Sequence, residues 1–229
     1  MAIIIGDIHG DIAMAHAFLN FKPEVEHVAL GDLVDSRTQG TIFEDELSCL
    51  NLLLRSNSVL LWGNHDLAYL PRCRWQNFSN YPDRAETFEY IYRGERGRFK
   101  AAHSVDGWLC THAGVSTTLS ATLSKGLWDY QDSGAIAEWL NGEFECSGMS
   151  GPLFARDWTR GGDDKYGGIF WYDPNKESAR PDSRVKQLFG HTQEPGPMKK
   201  PTWVNIHIES GLGHWVYDTE VDDFVCLRS

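Results

Sequence analysis

The chain has 229 residues, of which 41% are hydrophobic and 23% charged, the balance of an ordinary globular protein and not of a disordered or fibrous one. A formal charge of −11 speaks against sequence-independent binding to duplex nucleic acid, which rests on Lys and Arg, so no nucleic-acid partner is expected. No apolar run approaches the ~18 to 20 residues that span a bilayer, and no basic leader with a cleavage site opens the chain; the expectation is one domain over 1–229, cytoplasmic, with no membrane partner.

Ala2 to Ile5 is a short β-branched run that ends at Gly6-Asp7, the pattern of a buried strand with a polar residue at its carboxyl tip. A helix is predicted from about Asp11 to Asn20, with Ile12, Ala15, Phe18 and Leu19 on one face and Pro23 beyond its end. His27 to Leu30 repeats the first run and is tipped by Gly31-Asp32. After a helix around Phe43 to Leu54, Val59 to Trp62 repeats it again and is tipped by Gly63-Asn64. Alternating strands and helices form a largely parallel sheet, whose ligands bind beyond the carboxyl ends of the strands, so the three tips are expected to converge.

Pro71 to Gly97 reads as helix and loop, and Gly107 to Thr111 as a fourth apolar run, tipped by His112. Residues 115–158 look like a helical insertion with glycine breaks, a lid or padding, and 161–184 like an ordered loop rich in Gly, Asp and Pro. Val185 to Phe189 is a strand tipped by Gly190-His191. Trp203 to Ile208, Trp215 to Tyr217 and Phe224 to Leu227 read as closing antiparallel strands. The five cysteines are an odd set without CxxC spacing, which argues for free, buried thiols over disulfides or structural zinc. Of the tryptophans, Trp62, Trp158 and Trp171 lie near the tips, with core packing as the expected role.

Asp7 with His9, Asp32, Asn64 with His65 and Asp66, His112, and His191 therefore occupy five strand tips. Any one of them alone would be an ordinary turn, cap or core residue; five tips together would not all carry such side chains by accident. The donors are imidazoles, carboxylates and an amide, which suit manganese, iron or zinc and not a soft-metal, calcium or pure magnesium site. Six of them (Asp7, His9, Asp32, Asn64, His112, His191) are too many for one ion with open positions. Two ions ~3.5 to 4 Å apart that share a carboxylate would use them all.

The motifs GDIHG (6–10), GDLVD (31–35), GNHD (63–66), THAG (111–114) and GHT (190–192) resemble, in order and spacing, those of the PPP-type serine/threonine phosphoprotein phosphatases within the calcineurin-like metallophosphoesterases. The resemblance implies an α/β fold, a central β-sandwich of two mixed sheets flanked by helices. It also implies two divalent transition-metal ions, manganese first, with iron, zinc or nickel as alternatives. Asp7, His9 and Asp32 would hold the first ion, and Asp32, Asn64, His112 and His191 the second. A hydroxide activated by the two ions would attack phosphorus, His65 would protonate the leaving group, and Asp66 would orient His65. Asn64 is also implied at the substrate. The family carries an arginine directly after its second motif aspartate, where this chain has Ser36. Arg37, one place on, and Arg156 are the expected phosphate-binding arginines.

The implied substrate is a phosphorylated protein, at serine or threonine, or a small phosphate ester. Dinucleoside tetraphosphate hydrolases share the metal ligands but usually carry alanine at the position of Asp35, which favours the protein-phosphatase reading. A non-catalytic binding module on the same fold is the alternative of another class, and it would normally have lost ligands that are all present here.

Overall fold

In the computed structural model, which describes residues 1–36, 42–73, 84–123, 132–208 and 212–227, the apolar runs become the strands of two mixed sheets. Along the chain these are β1 (Ala2–Ile5), β2 (Glu26–Ala29), β3 (Val59–Leu61), β4 (Phe99–Lys100), β5 (Ala102–Val105), β6 (Trp108–Thr111), β7 (Lys186–Phe189), β8 (Met198–Lys199), β9 (Trp203–Asn205), β10 (His214–Asp218) and β11 (Asp223–Leu227). The helices are α1 (Ile12–Asn20), α2 (Phe43–Arg55), α3 (Asn64–Ala68), α4 (Ala85–Gly94), α5 (Thr117–Thr122) and α6 (Ser133–Ser147).

One sheet has the order β11-β10-β1-β2-β3-β4 and the other β5-β6-β7-β9-β8. Strands β1 to β4 are mutually parallel, and so are β6, β7 and β9. Parallel strands covered on both faces are apolar throughout, which is why the runs show no alternation in sequence. The two faces of β1 nonetheless do different work. Ala2 and Ile4 pack with Val28, Leu61, Trp108, Cys110, Leu188 and Val204 between the sheets. Ile3 and Ile5 join a separate cluster that includes Phe18, Leu50 and Leu53 of α1 and α2.

Asp11 caps α1, its carboxylate accepting from the Met14 N–H at 2.8 Å, and Ala15 and Phe18 are the buried side of that helix. Helix α6, capped by Asp132, buries Ile136, Ala137, Leu140 and Phe144 and packs on β5 and β6. Helix α6, within the segment 115–158, thus forms part of the outer layer over the second sheet. Among the described residues no helix is long and apolar enough to cross a membrane.

Two expectations change, and some elements were not anticipated. The hairpin of β5 and β6 and the two-residue β4 escaped the sequence reading, because 99–105 is too short and mixed to show a period. The stretch at Trp203 is parallel to β7, not antiparallel, while the hairpin of β10 and β11 crosses back to pair with β1. Strand direction depends on which neighbour the fold selects, and a local pattern does not contain that. Cys49 and Cys110 are buried free thiols and Cys73 is buried, but Cys146 and Cys226 are exposed.

The glycines of the second and third motifs touch backbone to backbone. Gly31 has φ +101°, and a Cβ there would stand 2.4 Å from the Gly63 nitrogen; a Cβ on Gly63 would stand 2.1 Å from the Asp32 nitrogen. Main chain cannot move aside as a flexible side chain can. Gly31→Ala is therefore expected to cost about 3 kcal/mol or more through combined strain and overpacking, read as a lowered midpoint in urea unfolding.

Candidate metal centre

Main-chain bonds tie the first motif loop to the second and the fourth to the fifth. Ile8 and His9 donate to the Asp32 carbonyl at 3.1 and 2.8 Å, Gly10 to Leu33 at 2.8 Å, and Gly190 to His112 at 2.7 Å. The His191 N–H donates to Asp7 Oδ1 at 2.9 Å. His9, Asp32, Asp35 and His191 all hold left-handed backbone, with φ of 48°, 52°, 68° and 65°. Such conformations cost of order 1 to 3 kcal/mol each for non-glycine residues and persist where the surroundings over-determine them. In His9, Asp32 and His191 the side chain enters one small volume, while Asp35 reaches His65 beside it.

Two clusters of donors fill that volume, and Asp32 stands between them. Its Oδ1 accepts from the His65 N–H at 2.8 Å. Its Oδ2 lies 4.0 Å from His9 Nε2 on one side and 3.6 Å from His112 Nε2 on the other. The first cluster adds Asp7, whose Oδ2 is 3.8 Å from His9 Nε2. The second adds Asn64, whose Oδ1 is 2.9 Å from His112 Nε2, and His191, whose Nδ1 is 3.2 Å from the same nitrogen.

Hydrogen-bond bookkeeping shows why these contacts fit cations. The Nδ1 of His9 faces the Val34 carbonyl at 3.0 Å, and that of His112 faces the Leu30 carbonyl at 2.9 Å. A carbonyl only accepts, so both protons sit on Nδ1 and both Nε2 atoms present lone pairs, the ligand tautomer with its outer hydrogen bond in place. His112 Nε2 then faces the amide oxygen of Asn64, acceptor against acceptor, and buried His9 Nε2 has no hydrogen-bond partner. Unpaired buried acceptors cost about 1 to 3 kcal/mol each; a cation in each cluster removes that cost. The residues present therefore fit a pair of divalent ions.

Electrostatics agree. Burial opposes ionisation of Asp7, but the imidazoles of His207, His112 and His9 outweigh it and hold the carboxyl well below its usual range. Burial keeps His9 below the usual imidazole value despite Asp32 and Asp7. His191 is pushed well below it by burial, aided by His112 and the Arg160 charge. Neutral imidazole and ionised carboxylate are the forms that bind metal.

The expected partner of His65 is corrected. His65 Nδ1 lies 2.8 Å from Asp35 Oδ2, and the other oxygen of Asp35 accepts from the Tyr69 hydroxyl. Asp66, next to His65 in sequence, points away from it. Its fully buried carboxylate accepts from the N–H groups of Asp32 (2.8 Å), Leu33 (3.0 Å) and Gly63 (3.0 Å) and from the Tyr92 hydroxyl (2.5 Å), clasping the second motif to the third. Burial and the nearby Asp32 charge push the Asp66 carboxyl up to about 6, against the pull of those donors. Adjacent residues on a helix face different directions, so sequence proximity misled. Asp66→Asn is expected to lower stability by about 2 to 4 kcal/mol, because it replaces a charged acceptor of backbone donors; chemical denaturation of the metal-free protein measures this.

Of the two arginines read as phosphate ligands, Arg37 lies outside the described residues. The guanidinium of Arg156 stacks 4.3 Å from the centroid of Trp171, and that indole stands edge-on to His191 with centroids 5.8 Å apart. Arg156 is thus one ring away from the second cluster. Trp171 is part of the site wall, Trp62 is core, stacked on Phe99, and Trp158 is 76% exposed.

Two residues near the site were missed. Arg160 donates to the Thr192 hydroxyl at 3.2 Å and pairs with Asp173 at 2.9 Å, beside the GHT motif. His207 places Nδ1 2.9 Å from Asp7 Oδ2. It follows no glycine and tips no isolated run, so only its imidazole could have flagged it.

A family model described as calcineurin-like phosphoesterase matches residues 2–224. Among solved structures, the chain is similar to a mutant cold-active protein tyrosine phosphatase, with 15% identity over 99% of this chain and 80% of that one and a TM-score of 0.54. It is also similar to a protein serine/threonine phosphatase from Saccharomyces cerevisiae with similarity to human phosphatase PP5, at 16% identity over 90% of this chain and 66% of that one, TM-score 0.53. At these identities the likeness is one of fold.

Proposed function

Because the chain belongs to the calcineurin-like phosphoesterase family, we propose that it is a two-metal phosphomonoesterase that removes phosphate from phosphoserine or phosphothreonine in proteins. The observation that carries this reading is the placement of Asp32, gripped at Oδ1 by the backbone of His65 and set at Oδ2 between two imidazole clusters. Asp7, His9 and Asp32 would hold one ion, and Asp32, Asn64, His112 and His191 the other. What such a pair supplies when bound is a water made nucleophilic at neutral pH and neutralisation of charge on the phosphoryl oxygens.

The chain's own residues supply the rest. With Nδ1–H held by Asp35, the second proton of cationic His65 sits on Nε2, and the carboxylate partner stabilises that charge. His65 is then a general acid for the departing serine or threonine oxygen. Its ring stands edge-on to His9, with centroids 5.2 Å apart, which puts the proton beside the first cluster. Arg156, braced on Trp171, is the proposed donor to the phosphoryl oxygens, where a planar fork holds two oxygens at once. Arg37 and the substrate contact of Asn64 belong to the same proposal.

The Asp35–His65 pair favours a protein phosphatase over a dinucleoside tetraphosphate hydrolase, in whose motif that aspartate is usually alanine. The names of the two similar structures divide between tyrosine and serine/threonine, so the substrate panel must contain both. Manganese-loaded protein is expected to prefer phosphoserine and phosphothreonine peptides over a phosphotyrosine peptide and over diadenosine tetraphosphate. Preference for the dinucleotide would overturn the assignment.

A further inference from the structure

The structure assigns to His207 the role of a fourth protein ligand for the first ion, joining Asp7, His9 and Asp32 through Nδ1. The inference rests on the two-ion reading above. It concerns a residue outside every motif, and it would give both positions two imidazoles and a share of Asp32, completed by Asp7 in one and Asn64 in the other.

Topology brings His207 to the site. It lies two residues beyond β9, the strand parallel to β7, whose own tip presents His191. The backbone is fixed there, since the His207 carbonyl accepts from the Glu194 N–H at 2.9 Å and its N–H donates to Asn205 Oδ1 at 3.2 Å. The tip of β1 lies against the same segment: a Cβ on Gly6 would be 3.2 Å from the His207 nitrogen. Glycine before Asp7 thus lets Asp7 and His207 approach.

The donor geometry carries the assignment. His207 Nδ1 is 2.9 Å from Asp7 Oδ2, close enough for a hydrogen bond whenever that nitrogen carries a proton. His9 Nε2 is 3.8 Å from that same oxygen and is buried without a hydrogen-bond partner. One donor atom from each of Asp7, His9 and His207 lies within 4.8 Å of the others, and the rings of His9 and His207 are 6.0 Å apart. Two buried imidazole nitrogens thus converge on one carboxylate oxygen, and a divalent cation is the partner that three such donors accept together.

The competing role is an ion pair in which protonated His207 neutralises Asp7. The two roles predict opposite signs. A ligand strengthens metal binding, whereas a cation on Asp7 competes with the metal, so its removal would leave binding unchanged or tighten it.

Calorimetric titration of metal-free protein with Mn²⁺, together with electron paramagnetic resonance, reads the difference without any assay of turnover. Wild type is expected to take two ions and show the signal of a spin-coupled pair. His207→Ala is expected to weaken one of the two sites by about 100-fold or more, beyond the 10- to 100-fold typical of losing a residue that only supports a ligand, and to show an isolated Mn²⁺ signal at one equivalent. His207→Asn keeps an amide oxygen near the position of Nδ1, as Asn64 does in the other cluster, and is expected to fall between wild type and alanine. It also serves if the alanine protein does not fold. Both variants binding two ions as tightly as wild type, or tighter, would overturn the assignment and leave His207 as the ion-pair partner of Asp7. Wild type taking fewer than two ions would instead overturn the two-ion reading itself.

Discussion

Replacing His65 by Asn is expected to lower kcat on p-nitrophenyl phosphate or a phosphopeptide by about 10² to 10⁴, the usual worth of a positioned general acid, with metal content unchanged. The prediction follows from what the ring touches. His65 reaches Asp35 through Nδ1, while the contact with Asp32 is made by its backbone, which the substitution keeps. Poor leaving groups should suffer most, because p-nitrophenolate departs with little need of a proton and a serine alkoxide does not. Asp35→Asn should lower kcat in the same direction and shift the basic limb of the pH–rate profile downward, since the imidazolium loses its carboxylate partner. Equal kcat in wild type and His65→Asn on a phosphoserine peptide would remove His65 from the chemistry.

Loss of the shared carboxylate should be the more damaging change. Asp32 holds a left-handed backbone that Asn also tolerates, so Asp32→Asn keeps the shape and removes the charge between the clusters. Each cluster then loses its common anion. Binding of the paired ions should weaken by at least about 100-fold, and kcat/KM should fall by roughly three powers of ten or more, several kcal/mol of charge stabilisation. Elemental analysis after dialysis and steady-state kinetics on the same sample measure both. A variant that retains two ions and full rate would remove Asp32 from the bridging role.

Much of the fold was legible because it is written in local order. An apolar run closed by glycine and one polar residue marks a strand end whose main chain must turn tightly, and Gly31 and Gly63 show why: the backbone of Gly63 excludes a Cβ at Gly31, and that of Asp32 excludes one at Gly63. The tips of β1, β2, β3 and β7 could be read in that way, and that of β6 with Thr111 in the place of the glycine. What depends on the fold's choice of neighbours could not. His65 is held by Asp35, thirty positions away, rather than by adjacent Asp66, because α3 turns Asp66 toward the backbone of the second motif. His207 enters from β9 with no glycine or run to announce it, and β9 was read as antiparallel because no local feature of Trp203 to Ile208 distinguishes pairing with β7 from pairing with any other strand.

The most direct test of the site is anomalous scattering from crystals of the protein grown with excess Mn²⁺. Two peaks about 3.5 to 4 Å apart are expected on either side of Asp32, one beside Asp7 and His9 and the other beside Asn64, His112 and His191. A single peak, or none among these side chains, would contradict it.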